Sequence, residues 1–246
     1  MEKLESTVLP APFVWNGFAA YLFDIDGTLV NSRDGVHYNA FFRAFRETWK
    51  RELKLDGIPL HGNTDIGILR AAALVAGVSV AEFSGKLPQA LAMMQAEVEV
   101  NAAQLRAELC PSIRELLERL HSAGKLLGVT SGNLEPIGWA KLRAAGIAGY
   151  FRFGAFSAAP DFTAGTHNET RVAIFQQGIG EVRHRLGESA AVCFIGDTPA
   201  DVRAARAVSA SVIAVATGIN DVETLRRERP DLCLSCCTEL LEPHRP

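Results

Sequence analysis

Three short segments carry side chains and spacings that could do chemistry. Phe23-Asp24-Ile25-Asp26-Gly27-Thr28 follows an apolar run at Ala20–Phe23. In extended backbone, residues two apart share a side, so Asp24 and Asp26 point one way while Ile25 points into a core. Two adjacent carboxylates repel unless a cation neutralises them, and an all-oxygen ligand set favours Mg²⁺. Gly27 permits a sharp exit whose backbone amides can approach a phosphate.

The second segment, Thr130-Ser131-Gly132-Asn133, follows the apolar run 125–129 and precedes a helical pattern. A hydroxyl and free amides at a positive helix end make a natural phosphate site. The third, Gly196-Asp197-Thr198-Pro199-Ala200-Asp201, follows the apolar run 191–195 and adds two carboxylates, with Pro199 opening a helix.

The elements that must position these segments are short strands alternating with helices. Besides the runs already given, 150–156 and 211–216 read as strands apolar on both faces, and 111–123, 134–145, 169–186 and 199–208 read as helices. That alternation predicts an α/β fold with an open parallel Rossmann-like sheet flanked by helices. Residues 32–106 break it with three helical patterns, 35–51, 65–76 and 80–105. We read a helical cap domain over 32–106, inserted after the first strand, and a catalytic core over 1–31 and 107–246. Such an insertion lands above the strand ends where α/β sheets bind ligands.

Taken together, these motifs resemble the haloacid dehalogenase superfamily, in particular the phosphatase branch similar to phosphoglycolate phosphatase. The resemblance implies Asp24 as nucleophile, Asp26 as general acid/base, and Mg²⁺ held by Asp24, Asp197 and the Asp26 backbone carbonyl, with Asp201 in support. It implies phosphate contacts from Gly27, Thr130, Ser131 and Gly132. The family also uses a lysine between the second and last motifs, and here no lysine follows Lys141. Lys141 precedes the 150–156 strand, which reads as poor placement; Arg171 is the expected substitute, because a guanidinium can pair with phosphate and carboxylate together. His167 and Arg152 are weaker candidates. In the cap, Gly62-Asn63-Thr64-Asp65 reads as a helix N-cap, and His37 and Arg43 as a solvated polar stripe.

The reaction implied is hydrolysis of a small phosphorylated metabolite through an aspartyl phosphate. The alternatives are a phosphomutase of the beta-phosphoglucomutase type and a catalytically silent binding protein on the same fold. A dehalogenase would lack the second carboxylate, here Asp26, and a phosphonatase would need a Schiff-base lysine that no cap motif supplies.

Composition narrows the partners. Lys plus Arg number 25 against 28 Asp plus Glu, a net charge of −3, which is no polyanion-binding signature and predicts no nucleic-acid partner. No run approaches the length of a membrane helix, and residues 1–17 lack a basic end and apolar run, so a cytoplasmic monomer or homodimer is expected. The five cysteines are odd in number and scattered; Cys233 and Cys236 form a lone CxxC without a second ligand pair, which predicts reduced thiols rather than zinc.

Overall fold

The computed structural model describes residues 13–158 and 167–242, the backbone alone for 167–170. Its centre is β1 (Ala20–Phe23), whose four side chains are all buried. An apolar residue on both parities forces cover on both faces, and neighbours on both edges supply the backbone partners. Parallel strands flank it: β4 (Leu126–Leu134) on one side and β6 (Val192–Gly196) on the other. The sheet continues through β5 (Gly154–Ser157) beyond β4, and through β7 (Ser211–Val215) and β8 (Leu232–Leu234) beyond β6, in the order β5-β4-β1-β6-β7-β8. All three chemistry-bearing segments therefore leave adjacent central strands at the same edge.

The helices α4 (Ile113–Ser122), α5 (Glu135–Ala144), α6 (His167–Leu186), α7 (Pro199–Ala207) and α8 (Val222–Arg227) connect or cover these strands. One apolar cluster includes Phe23, Ile25, Leu117 and Ile195, and a second includes Leu22, Phe175, Phe194 and Val202. Gly138 lets α5 lie close: a β-carbon there would stand 2.5 Å from Phe156 and 3.1 Å from Ile25.

Between β1 and β4 the chain forms β2 (Val30–Ser32), then α1 (Val36–Trp49), α2 (Asp65–Val75) and α3 (Val80–Val100), then β3 (Ala107–Leu109). These helices share a separate apolar cluster containing Phe45, Trp49, Leu69 and Met94, joined by Leu134, Ile137 and Ala140 beside or on α5. The helical insertion read from the sequence is thus present.

Several boundaries differ from the expectation. The pair β2 and β3, antiparallel across the foot of the insertion, was too short to carry a periodic signal, as was the edge strand β8. The segment 150–156 yields strand only from Gly154, after a 3-10 turn at Ala148–Tyr150. All five cysteines are free, Cys233 and Cys236 half-buried and Cys110, Cys193 and Cys237 buried.

Candidate active site

Where β1 ends, the chain places Asp24 and Asp26 on one side and buries Ile25 in the core, as the two-residue period requires. Gly27 then turns with φ +84°, a region open to glycine. Its amide donates to the Val30 carbonyl at 2.8 Å, which corrects the expectation that it serves phosphate: the amide is used in closing the turn. The missing side chain of Gly27 matters more, since a β-carbon there would stand 2.3 Å from Asp197 Oδ2. A β-carbon on Gly218, on the loop after β7, would stand 1.8 Å from the same oxygen. The Asp197 carboxylate thus occupies a slot between two glycines, with Thr28 Oγ1 donating to its Oδ1 at 3.1 Å.

Asp24, Asp197 and Asp201 converge, one oxygen from each lying within 4.8 Å of the others. Arg171 reaches them from α6. Its Nη2 lies 3.1 Å from Asp24 Oδ1, and its Nε donates to Asp201 Oδ1 at 2.9 Å, with Nη2 also bonded to Asp201. Asp201 Oδ2 further accepts from the Thr198 amide and hydroxyl, at 3.0 and 2.6 Å, closing a capping box at the start of α7.

The electrostatics follow from this crowding. Burial raises the Asp24 carboxyl to about 7, Arg171 opposing the rise and Asp201 and Asp26 adding to it. Burial also pushes Asp197 well above the carboxylate range, helped by repulsion from Asp24 and Asp201. Burial alone would lower Arg171, but Asp201 and Asp24 outweigh it and raise the guanidinium. Three carboxylates against one guanidinium leave two negative charges when ionised (3 − 1 = 2), in an oxygen-only pocket. That donor set fits a hard divalent cation such as Mg²⁺.

Asp26 stands apart from this cluster. Lys141 Nζ donates to both its oxygens, at 2.8 and 2.6 Å, and the lysine side chain is 3% exposed whereas that of Asp26 keeps 38% open to the cavity. Burial would raise the Asp26 carboxyl, but Lys141, His37 and Asn133 outweigh it and hold it below its usual range. Lys141 precedes the next strand and was for that reason expected to be poorly placed. That was wrong, because the buried face of α5 (Ile137, Gly138, Ala140, Lys141, Leu142), not linear order, aims it at Asp26. Its burial was legible, a lysine amid apolar residues at helical spacing one turn from Ile137 and Gly138, but its partner was not.

The second segment also needs correction. Residues 130–133 continue β4 rather than forming a helix N-terminus, with a register shift against β5 between Ser131 and Leu134. Alternation then turns Thr130 towards α6, where a β-carbon on Gly178 would stand 2.8 Å from Thr130 Cγ2. The Thr130 hydroxyl is buried without a partner among the described residues, and Ser131, Gly132 and Asn133 line the cavity instead. Gly132 has a further reason to be glycine: a β-carbon would meet the Asn63 carbonyl at 2.2 Å, where the loop before α2 closes on β4.

That loop brings the insertion to the site. Thr64 does cap α2, accepting from Gly67 at 3.0 Å, yet Gly62, Asn63 and Asp65 also line the cavity. His37, expected on a solvated stripe, faces it too, its Nε2 3.1 Å from Asp65 Oδ2, which accepts the Leu134 amide at 2.8 Å. Arg43 does lie on the exposed side, paired with Glu97. The exposed Arg152 does not line the cavity, and the His167 side chain lies outside the described residues. The cavity measures about 570 Å³ and opens between the sheet edge and the helical insertion.

Residues 18–209 match the model of the haloacid dehalogenase-like hydrolase family, a span that takes in every motif above. The chain belongs to that family. Among curated proteins it is 27% identical over 224 residues to a phosphoglycolate phosphatase of Synechococcus elongatus, covering 91% of this chain and 95% of that one. Two solved structures share the fold. A predicted phosphoglycolate phosphatase from Haemophilus somnus 129PT superposes with a TM-score of 0.62 at 20% identity, over 91% of this chain and 96% of that one. CbbY from Rhodobacter sphaeroides in complex with phosphate gives 0.61 at 19%, over 83% and 89%. The resemblance to the family's phosphatase branch that the motifs carry thus extends over nearly the whole chain. No described helix is long and apolar enough to cross a membrane.

Proposed function

We propose that this family member is a Mg²⁺-dependent phosphatase that moves the phosphoryl group of a small phosphorylated metabolite onto Asp24 and then to water. The observation that carries the reading is the division of the two carboxylates at the end of β1. Asp24 sits with Arg171, Asp197 and Asp201, while Asp26 is held separately by Lys141.

The division suits the two jobs. An Asp24 oxygen attacks phosphorus, the bond from phosphorus to the ester oxygen breaks, and the departing alkoxide takes the proton of the Asp26–Lys141 pair, which rests on Lys141 Nζ and passes through the Asp26 carboxyl. In the second half, water attacks the same phosphorus and loses its proton to Asp26, and Asp24 leaves as carboxylate with free phosphate. Arg171 offers fixed charge to the equatorial oxygens, where the transition state spreads its negative charge, and Ser131 offers a hydroxyl. Asp24 and Asp197, with Asp201 behind them, would hold the divalent cation. When bound, that cation neutralises the repulsion between phosphate and carboxylate.

In this reading residues 32–106 form the cap over a core of 1–31 and 107–246, excluding bulk water from the aspartyl phosphate. Phosphate release from p-nitrophenyl phosphate, with Mg²⁺ and with EDTA, tests the proposal. Wild type turns over only with metal, and Asp24→Asn abolishes turnover while melting at nearly the wild-type temperature. A folded Asp24→Asn variant with retained activity would remove Asp24 as nucleophile, and a wild type silent towards every phosphate ester would leave a binding protein.

A further inference from the structure

The helical side of the cavity has few polar groups left to offer a substrate. Asp65 is spent on His37 and the Leu134 amide, and Asp34 on the amides of Val36 and Arg106 at 2.8 and 2.6 Å. Asn63 donates to the Pro59 carbonyl at 2.9 Å and accepts from the Thr64 amide at 2.8 Å. The cations are matched as well. Arg33 at the rim lies 3.0 Å from Glu108, His37 faces Asp65, Lys141 faces Asp26, and Arg171 faces Asp24 and Asp201. Among the described residues that line the cavity, His61, an exposed residue, is the one cationic side chain without a carboxylate partner. What remains is apolar surface: Tyr38, Phe41, Leu55, Leu60 and Ile68 from the insertion and Ile219 from the core. Tyr38 and Ile219 are 49% and 66% exposed, a large apolar residue on each side of the opening. The Phe41 ring lies 5.2 Å from that of His37, and the Tyr38 ring 5.0 Å from that of Phe42, so aromatic rings cluster along α1 here.

A carboxylate on the substrate would find, among the described residues, no buried cation in this region beyond those already paired, only His61 and Arg33 at the exposed rim, and would lose hydration on entering, which is costly; an uncharged ring would gain by burial and by aromatic contact. Phosphoglycolate, with two carbons and a carboxylate beyond its ester oxygen, is a poor match to about 570 Å³ so lined. We propose that the alcohol half of the substrate is uncharged and presents a flat apolar face, so that the preferred substrate is a phosphate monoester of an aromatic or heteroaromatic alcohol rather than of a short hydroxy acid. This rests on the phosphatase reading for its catalytic half and on the cavity lining for its specificity.

The test compares kcat/KM for benzyl phosphate, 2-hydroxyethyl phosphate and phosphoglycolate on the full chain with Mg²⁺; all three have alkyl leaving groups, so reactivity does not imitate recognition. Benzyl phosphate should lead phosphoglycolate by roughly tenfold or more, the scale on which hydrophobic pockets discriminate. Tyr38→Ala should shrink the benzyl-to-hydroxyethyl ratio severalfold. Phosphoglycolate equal to or better than benzyl phosphate overturns the inference, as does a Tyr38→Ala variant with an unchanged ratio. If none of the three is hydrolysed, the phosphatase reading falls by itself, and specificity is read from binding. Benzylphosphonate tighter than phosphonoacetate by calorimetry supports the inference, and the reverse order overturns it.

Discussion

A β-carbon on Gly218 would stand 1.8 Å from Asp197 Oδ2, whereas ordinary van der Waals contact begins at 3.4 Å, so Gly218→Ala forces a separation of 1.6 Å (3.4 − 1.8). The Asp197 carboxylate cannot take this up freely, because Thr28 holds its other oxygen and Gly27 borders its far side. Misplacing a catalytic group by about 1 Å can cost roughly 100-fold, which sets the expected loss in kcat/KM. The Mg²⁺ concentration for half-maximal rate should rise as well, since the displaced oxygen is a proposed ligand. The assay is a Mg²⁺ titration of p-nitrophenyl phosphate hydrolysis, run beside Gly85→Ala. Gly85 is exposed within α3 with nothing within 4 Å of its β-carbon position, so alanine there should add about 0.5–1 kcal/mol of stability and leave kinetics alone. A Gly218→Ala enzyme with wild-type kcat/KM and metal titration would refute the argument that this close approach positions Asp197.

Ser131→Ala should lower kcat/KM roughly 100-fold or more, the range for losing a hydrogen-bond donor to transition-state charge, whereas Thr130→Val should leave it within about twofold because Thr130 does not line the cavity and its methyl lies against Gly178 of α6. The opposite ranking would restore Thr130 to the site. Arg171→Ala should cost more activity than Arg171→Lys, because lysine keeps the charge but cannot span Asp24 and Asp201 together; equal losses in kcat/KM would argue against a charge contribution. Asp24, with its carboxyl raised from 3.8 to about 7, binds its proton more tightly when folded, so metal-free stability should fall as pH rises through that window. Mg²⁺ should therefore raise the melting temperature more at pH 8 than at pH 5, and a pH-independent gain would count against the cluster as the binding site.

The sequence by itself carried the fold class, the helical insertion and the carboxylates, because each rests on short-range regularity. Buried parallel strands read as apolar runs, amphipathic helices repeat at helical spacing, and a two-residue step fixes Asp24 and Asp26 on one side with Ile25 inward. Three decisions lay beyond that reach. Whether Thr130 or Ser131 faces the cavity depends on where β4 ends, and pairing with β5 carries the strand to Leu134, so alternation rather than a helix cap assigns the hydroxyls. Lys141 came to Asp26 through the packing of α5 on Ile25 and Phe156, a contact between segments more than a hundred residues apart in sequence at the lysine itself. The apolar lining of the cavity likewise depends on which polar groups find partners elsewhere in the chain. Local pattern determines which faces a segment must bury; only the assembled tertiary structure decides what each face meets, because every such contact is settled jointly by both segments.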